Sequence, residues 1–373
     1  MDLELNSGYQ IQRSCIFEGN ITQKMKKITL SLLFALSLIV QAQDKSPNII
    51  LMIGDGMGLT QISAGMYAND NTTALEEFSY VGLSKTYATD QLITDSAASG
   101  TAMAAGVKTY NGVIGIDSKN VSHQSILEIC HGLGYTSALL ATSSIVHATP
   151  ASFYANVPSR RMYEDIALQL SQHHVDLFVG GGRKFFVNRE DGKNLKNEMS
   201  AYEFVSDIEA FRKSSSKKIG FLTYDEEPPP LLEGREPSLA ELTKISLEKI
   251  SALGKPFFMM VEGSQIDWGG HGNNTDYVIS EFKEFDSAIR NALEFAKADG
   301  NTLVIVTADH ETGGMAISGG TLKRGKIKAE FTTKGHSAAM VPVFSFGPSS
   351  KQFSGIYENT AIFEKMLITV KGN

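Results

Sequence analysis

Asn48-Ile49-Ile50-Leu51-Met52-Ile53-Gly54-Asp55-Gly56-Met57-Gly58 decides the fold of this chain. An unbroken apolar run ahead of a glycine-rich turn is the pattern of a strand buried on both faces. The lone carboxylate, Asp55, falls where that strand would end, and open α/β sheets place their chemistry at such ends. The layout recurs downstream. Apolar runs at 136–141, 175–179, 257–261, 303–307 and 341–346 each lead into a polar or glycine-rich turn. Helical periodicity covers about 160–172, 238–252 and 275–298. Alternating strands and helices predict an α/β fold, a mainly parallel central sheet with helices on both faces. Four of the six runs deliver Asp, Glu, His or Thr just past their C-terminal ends, which places those residues along one sheet edge.

A second stretch supplies a nucleophile. In Thr94-Asp95-Ser96-Ala97-Ala98-Ser99-Gly100-Thr101-Ala102, Ser96 opens an Ala-rich run that should be helical. A helix N-terminus offers free N–H groups and partial positive charge to an anion such as phosphate. Serine needs a base or a metal to become a nucleophile, and no G-x-S-x-G elbow surrounds Ser96. Taken alone, Asp-Ser before such a helix is only an N-cap.

Potential metal ligands fall into groups. Asp267 and His271 are four apart in Ile-Asp-Trp-Gly-Gly-His, where the two glycines favour a loop over a helix. Asp309 and His310 are adjacent after a strand, and His336 stands in Thr-Lys-Gly-His-Ser. Carboxylate with imidazole and no cysteine suits zinc, manganese or cobalt. Two such ions about 3.5–4 Å apart would clamp the attacking and leaving oxygens of a displacement at phosphorus. Asp55, Thr149 and Glu262 form an all-oxygen set suited to Mg²⁺. Each residue has a bland explanation as turn, cap or buried polar group; their gathering on one sheet edge outweighs it.

The 373-residue chain is 42% hydrophobic and 20% charged, with a net charge of −7 and a pI near 5.7. Nothing basic invites nucleic acid, so an anionic substrate must be held by local metals or arginine. Residues 25–42 combine Lys26 and Lys27, a short apolar core and a Val-x-Ala end, the form of a signal peptide. That segment is short for a membrane span, and its removal leaves no span. A signal begins a protein, so Met25 is read as the start and residues 1–24 as an over-extended N-terminus. The remainder, 43–373, is expected to form a single domain, periplasmic or secreted, with surface insertions near 183–235 and 315–335. Its only cysteine, Cys130, lies in an apolar helical stretch and reads as a buried filler.

The motifs in order (Asn48–Gly58, Thr94–Ala102, Lys108-Thr-Tyr-Asn-Gly, His147-Ala-Thr-Pro-Ala, Val261-Glu-Gly-Ser-Gln-Ile-Asp, Thr307-Ala-Asp-His-Glu-Thr-Gly-Gly and Gly335-His-Ser) resemble the alkaline phosphatase family. The resemblance runs from about Pro47 to near the C-terminus. It implies hydrolysis of small phosphomonoesters through a phosphoserine on Ser96, with two zinc ions and one magnesium, in a homodimer. One zinc would be held by Asp267, His271 and His336, the other by Asp55, Asp309 and His310. Magnesium would take Asp55, Thr149 and Glu262, and Arg160 would clamp the phosphate with its planar fork. Two positions depart from the best-known enterobacterial pattern. His147 replaces an aspartate, which would let it ligate the third metal directly. Trp268 replaces a lysine near the phosphate, which should weaken ground-state binding of product. Rival readings are a phosphodiesterase, mutase or sulfatase of the same superfamily, which generally lack the Mg²⁺ set, and an inactive metal-binding scaffold, which should have lost a ligand.

Overall fold

The computed structural model describes residues 46–372. The signal-like segment and the residues before it lie outside them. In chain order the strands begin with β1 (Asn48–Gly54), β2 (Tyr80–Lys85), β3 (Thr136–Ser144), β4 (Leu177–Gly181), β5 (Glu203–Phe204), β6 (Ile219–Leu222) and β7 (Phe257–Gly263). They continue with β8 (Thr302–Thr307), β9 (Glu311–Thr312), β10 (Met315–Thr321), β11 (Lys326–Phe331), β12 (His336–Ser337), β13 (Val341–Phe346) and β14 (Gly355–Glu358). The helices that matter for the site and its support are α1 (Leu59–Tyr67), α2 (Ser96–Ala105), α3 (Tyr163–Gln172), α4 (Leu239–Ala252), α5 (Gln265–His271), α6 (Thr275–Asp299) and α7 (Thr360–Lys371).

Ten strands form one sheet in the order β14-β2-β13-β8-β1-β7-β3-β4-β6-β5. All pairings in it are parallel except those of β13, which runs antiparallel to β8 and β2. The fully apolar β1 lies between β8 and β7 and is covered on both sides, as its composition requires. Alternate residues of β1 serve two cores. Ile49, Leu51 and Ile53 pack with α2, α3 and α7, whereas Ile50 and Met52 pack with α4 and α6. Helices on both faces of a mainly parallel sheet are thus what the sequence pattern predicts.

Three details differ from expectation. The sheet includes the short β5, β6 and β14 and also β2, whose residues do not form a continuous apolar run. The stretch near 183–235, read as a surface insertion, contributes β5 and β6 and buries Phe186, Leu195, Met199 and Phe211. Its charges mask hydrophobic residues spaced across several short elements. Asp267–His271 is helical in α5 rather than a loop. Its glycines serve close packing: a Cβ on Gly269 would lie 2.8 Å from the Val278 nitrogen, and one on Gly270 2.9 Å from the Thr312 side chain. Cys130 is buried, and burial raises its thiol pKa to about 12, in keeping with a filler role.

Candidate active site

The C-terminal ends of β1, β7, β3 and β8 deliver most of the candidate residues. Asp55 follows β1, and its N–H donates to Gly263 O of β7 at 3.2 Å. Glu262 lies in β7, aligned with Ile53 of β1 and Ala141 of β3. His147 and Thr149 follow β3, and Asp309 and His310 follow β8. The short pairing of β9 with β12 sets His336 opposite Thr312 and so carries His336 back beside His310. The two imidazoles stack at 3.5 Å between centroids.

Ser96 is the first residue of α2, capped by Asp95, whose carboxylate accepts from the Ala98 N–H at 2.9 Å. Its hydroxyl is buried, 3.3 Å from Asp55 Oδ2 and 3.4 Å from His310 Nε2. Arg160 Nη1 donates to Asp95 Oδ2 at 3.0 Å and Nη2 to His147 Nε2 at 3.3 Å, which fixes the guanidinium beside the serine's helix. Trp268, on α5, stands edge-on to His147 with 6.3 Å between ring centroids.

Three clusters could each hold a cation. Asp55, Asp309 and His310 form one; Asp267, His310 and His336 another; Asp55, His147 and Glu262 a third. His271 adjoins the second, with Nε2 3.3 Å from Asp267 Oδ2 and 3.2 Å from His336 Nε2. The structure therefore brings eight of the nine candidate ligands together, with His147 beside the oxygen set, and the ninth, Thr149, has its side chain facing Glu262.

Two observations test whether metals fit these clusters. Asp55 Oδ1, Asp309 Oδ2, Glu262 Oε1 and Thr149 Oγ1 are buried without a hydrogen-bond partner among the described residues. Buried oxygens are rarely left so, and a cation would satisfy them. The second is the orientation of the histidines. His336 Nδ1 faces the Thr94 carbonyl at 2.7 Å, and His271 Nδ1 faces the Lys334 carbonyl at 2.5 Å. Carbonyls only accept, so both Nδ1 atoms carry protons and both Nε2 atoms turn toward Asp267, the arrangement found at metal-ligating histidines. The residues present fit metal ions.

The electrostatics of the metal-free chain say the same. Burial, then the charges of Asp309, Asp267 and Glu262, push Asp55 well above the usual carboxylate range. Burial raises Glu262 to about 8. Burial works against the charge on His310, but Asp309 and Asp267 keep its pKa above the ordinary value. The hydrogen bond to Asp267 takes His271 up to about 9. Protons thus stand where cations would neutralise the carboxylates. His147 goes the other way: burial and then Arg160 lower it to about 3, so it is a neutral imidazole.

Residues 46–330 match the family model for alkaline phosphatase. The chain belongs to the alkaline phosphatase family. It is 37% identical to alkaline phosphatase 4 of Bacillus subtilis, over 88% of this chain and 76% of that one. Alkaline phosphatase 3 of the same organism is 32% identical, with 89% and 90% covered. The alkaline phosphatase of the Antarctic bacterium TAB5 superposes with a TM-score of 0.83 at 43% identity, covering 88% of this chain and 99% of that one. A variant of that enzyme with its histidine changed to glutamate has magnesium bound in the site named M3. The family membership makes this chain an alkaline phosphatase by class, a metal-dependent phosphomonoesterase.

Two residues close to the candidate ligands were not singled out in the sequence. Glu311 is buried and accepts from Gln61 Nε2, the Gly314 and Met315 N–H groups, and Ser337. Thr312 touches both Asp267 and His310. Each lies within the Thr307–Gly314 motif, but only a structure reveals what it faces.

Proposed function

We propose that this chain hydrolyses phosphomonoesters through a phosphoserine on Ser96, with two zinc ions and one magnesium in the three clusters. The observation that carries the reading is the buried Ser96 hydroxyl within 3.4 Å of both Asp55 and His310, at the head of a helix. When bound, the metals would lower the pKa of the serine and of water and offset charge on the phosphoryl oxygens. Asp55, Asp309 and His310 would hold the zinc next to Ser96, and Asp267, His271 and His336 the other. Asp55, Thr149 and Glu262 would hold the magnesium, with His147 as a further ligand once its bond to Arg160 gives way.

The protein's own groups supply the rest. Capping by Asp95 fixes the start of α2, so the Ser96 hydroxyl is aimed before substrate arrives. Arg160 would present its guanidinium to two phosphate oxygens; its bond to Asp95 holds the fork in place. The N-terminal N–H groups of α2 favour the anion. Trp268 adds no cation, so product phosphate would be held less tightly than beside a lysine. His147 Nε2 accepts from Arg160, so a change at His147 would also loosen the clamp.

Export through residues 25–42 and assembly as a homodimer are part of this proposal. N-terminal sequencing of secreted protein, with a start near Gln43, and light scattering of the purified enzyme test them. The activity is tested by turnover of p-nitrophenyl phosphate and its bis-ester after chelation and metal add-back. Monoester hydrolysis that returns with Zn²⁺ and Mg²⁺ supports the reading; a preference for the diester would move the chain to the phosphodiesterase branch.

A further inference from the structure

Thr312 is fully buried at the junction of three segments that carry candidate ligands. Its N–H donates to Gly56 O at 3.2 Å, beside Asp55, and its carbonyl accepts from Gln61 Nε2 at 2.8 Å. Its hydroxyl donates to Asp267 Oδ1 at 2.5 Å and lies 3.2 Å from His310 Nδ1. Two glycines make room for it. A Cβ on Gly56 would come within 2.8 Å of the hydroxyl oxygen, and one on Gly270 within 2.9 Å of Cβ and Cγ2.

The hydrogen bonding of a hydroxyl is directional: it has one proton to give. Asp267, ionised, can only accept, so the Thr312 proton points to Asp267. The hydroxyl oxygen must then accept from His310, whose Nδ1 carries the hydrogen. That leaves Nε2 of His310 as the nitrogen facing Asp55 and Asp309. His271 and His336 have their tautomers set by backbone carbonyls, which no side-chain substitution removes. His310 depends on a side chain.

We infer that Thr312 is a positioning residue shared by the two zinc clusters, its single hydroxyl orienting Asp267 of one and setting the tautomer of His310 in the other. This rests on reading the clusters as zinc sites. Loss of the hydroxyl should weaken both sites together, because Asp267 loses a donor while His310 loses an acceptor. Outer-shell partners of this kind change metal affinity by about 10–100-fold.

The test is zinc binding, measured by competition with a chromophoric chelator on the chelator-stripped full chain, wild type against Thr312→Val and Thr312→Ser. Valine keeps the shape and removes the hydroxyl; serine keeps the hydroxyl and removes a methyl. The expected result is that Thr312→Val loses affinity at both zinc sites by about 10–100-fold, while Thr312→Ser stays near wild type. A packing role alone predicts the reverse order, and that order, or equal affinities for all three, overturns the proposal. Thermal melting of the stripped proteins separates folding from binding. Should valine prevent folding, Thr312→Ala against Thr312→Ser makes the same comparison between two small residues, and equal affinities in that pair overturn the proposal. A wild-type chain that binds no zinc removes the zinc reading itself, and the proposal with it; wild-type binding with an indifferent Thr312→Val removes the proposal alone.

Discussion

At the scale of single residues, the site is a set of charges that the metal-free chain can barely accommodate. Glu262 illustrates the sign of the resulting pH dependence. Its folded pKa is about 8 against an ordinary 4.5, so the folded state holds the proton more tightly than the unfolded one. Its contribution to the stability of the stripped chain is therefore complete below about 4.5 and is lost as pH rises through about 8. Melting temperature of the stripped protein should fall across that window, and Glu262→Gln should flatten the slope; an unchanged slope in that variant contradicts the assignment. Arg160 gives a second residue-level prediction. Replacing it with lysine retains charge but loses the fork, so competitive inhibition by inorganic phosphate should weaken by about tenfold or more. An inhibition constant equal to wild type would remove Arg160 from the phosphate site.

The legibility of the sequence also divides by residue. Asp55, Ser96, Asp309 and His310 were readable because each stands next to a strong strand or helix signal, and position relative to that signal carries their meaning. Thr312 and Glu311 were not, because their roles depend on partners 45 and 250 residues away, respectively Asp267 and Gln61. The α5 helix was misread for a related reason. Gly269 and Gly270 weaken local helix propensity, but the contacts with Val278 and Thr312 that require them are made by other elements.

At the scale of elements, the segment between β6 and α4 is fastened to α6 by a buried ion cluster. Arg235 pairs with Glu281 and Glu284, all three nearly inaccessible to solvent. The same carboxylates accept from the Leu231 and Leu239 N–H groups at 2.9 and 2.8 Å. Just upstream, Gln265 Nε2 of α5 donates to Pro228 O at 2.9 Å, so this segment also braces the helix that carries Asp267. Arg235→Leu would leave two buried carboxylates without the one cation they share, and should cost about 3–5 kcal/mol. Replacing Arg235, Glu281 and Glu284 together by apolar residues of similar volume should cost much less. Denaturant unfolding of the two variants checks this; equal losses would show that the charges are not the cause.

For the whole molecule, the parallel strands around β1 place one catalytic edge at the top of two separate hydrophobic cores. The metals would act as cross-links among β1, β7, β8, α5 and β12, whose ligands are far apart in sequence. Chelation should therefore lower melting temperature as well as abolish turnover, and excess Zn²⁺ and Mg²⁺ should restore both. Loss of activity with unchanged melting would confine the metals to chemistry. The fold was legible because the apolar runs of the inner strands dominate their neighbourhoods, whereas the edge strands β5 and β14 and the short β6 take their identity from pairing.

The central claim is that Ser96 carries the phosphoryl group during turnover. Trypsin releases the residues between Lys85 and Lys108, Ser96 among them, as one peptide. Acid quenching of the metal-loaded enzyme with a phosphomonoester, followed by mass spectrometry of that peptide, measures the intermediate directly. The account predicts one added phosphoryl group on Ser96, absent in Ser96→Ala, whose turnover also collapses. Turnover of the wild type with no phosphoryl group on that peptide, and undiminished turnover by Ser96→Ala, would contradict it.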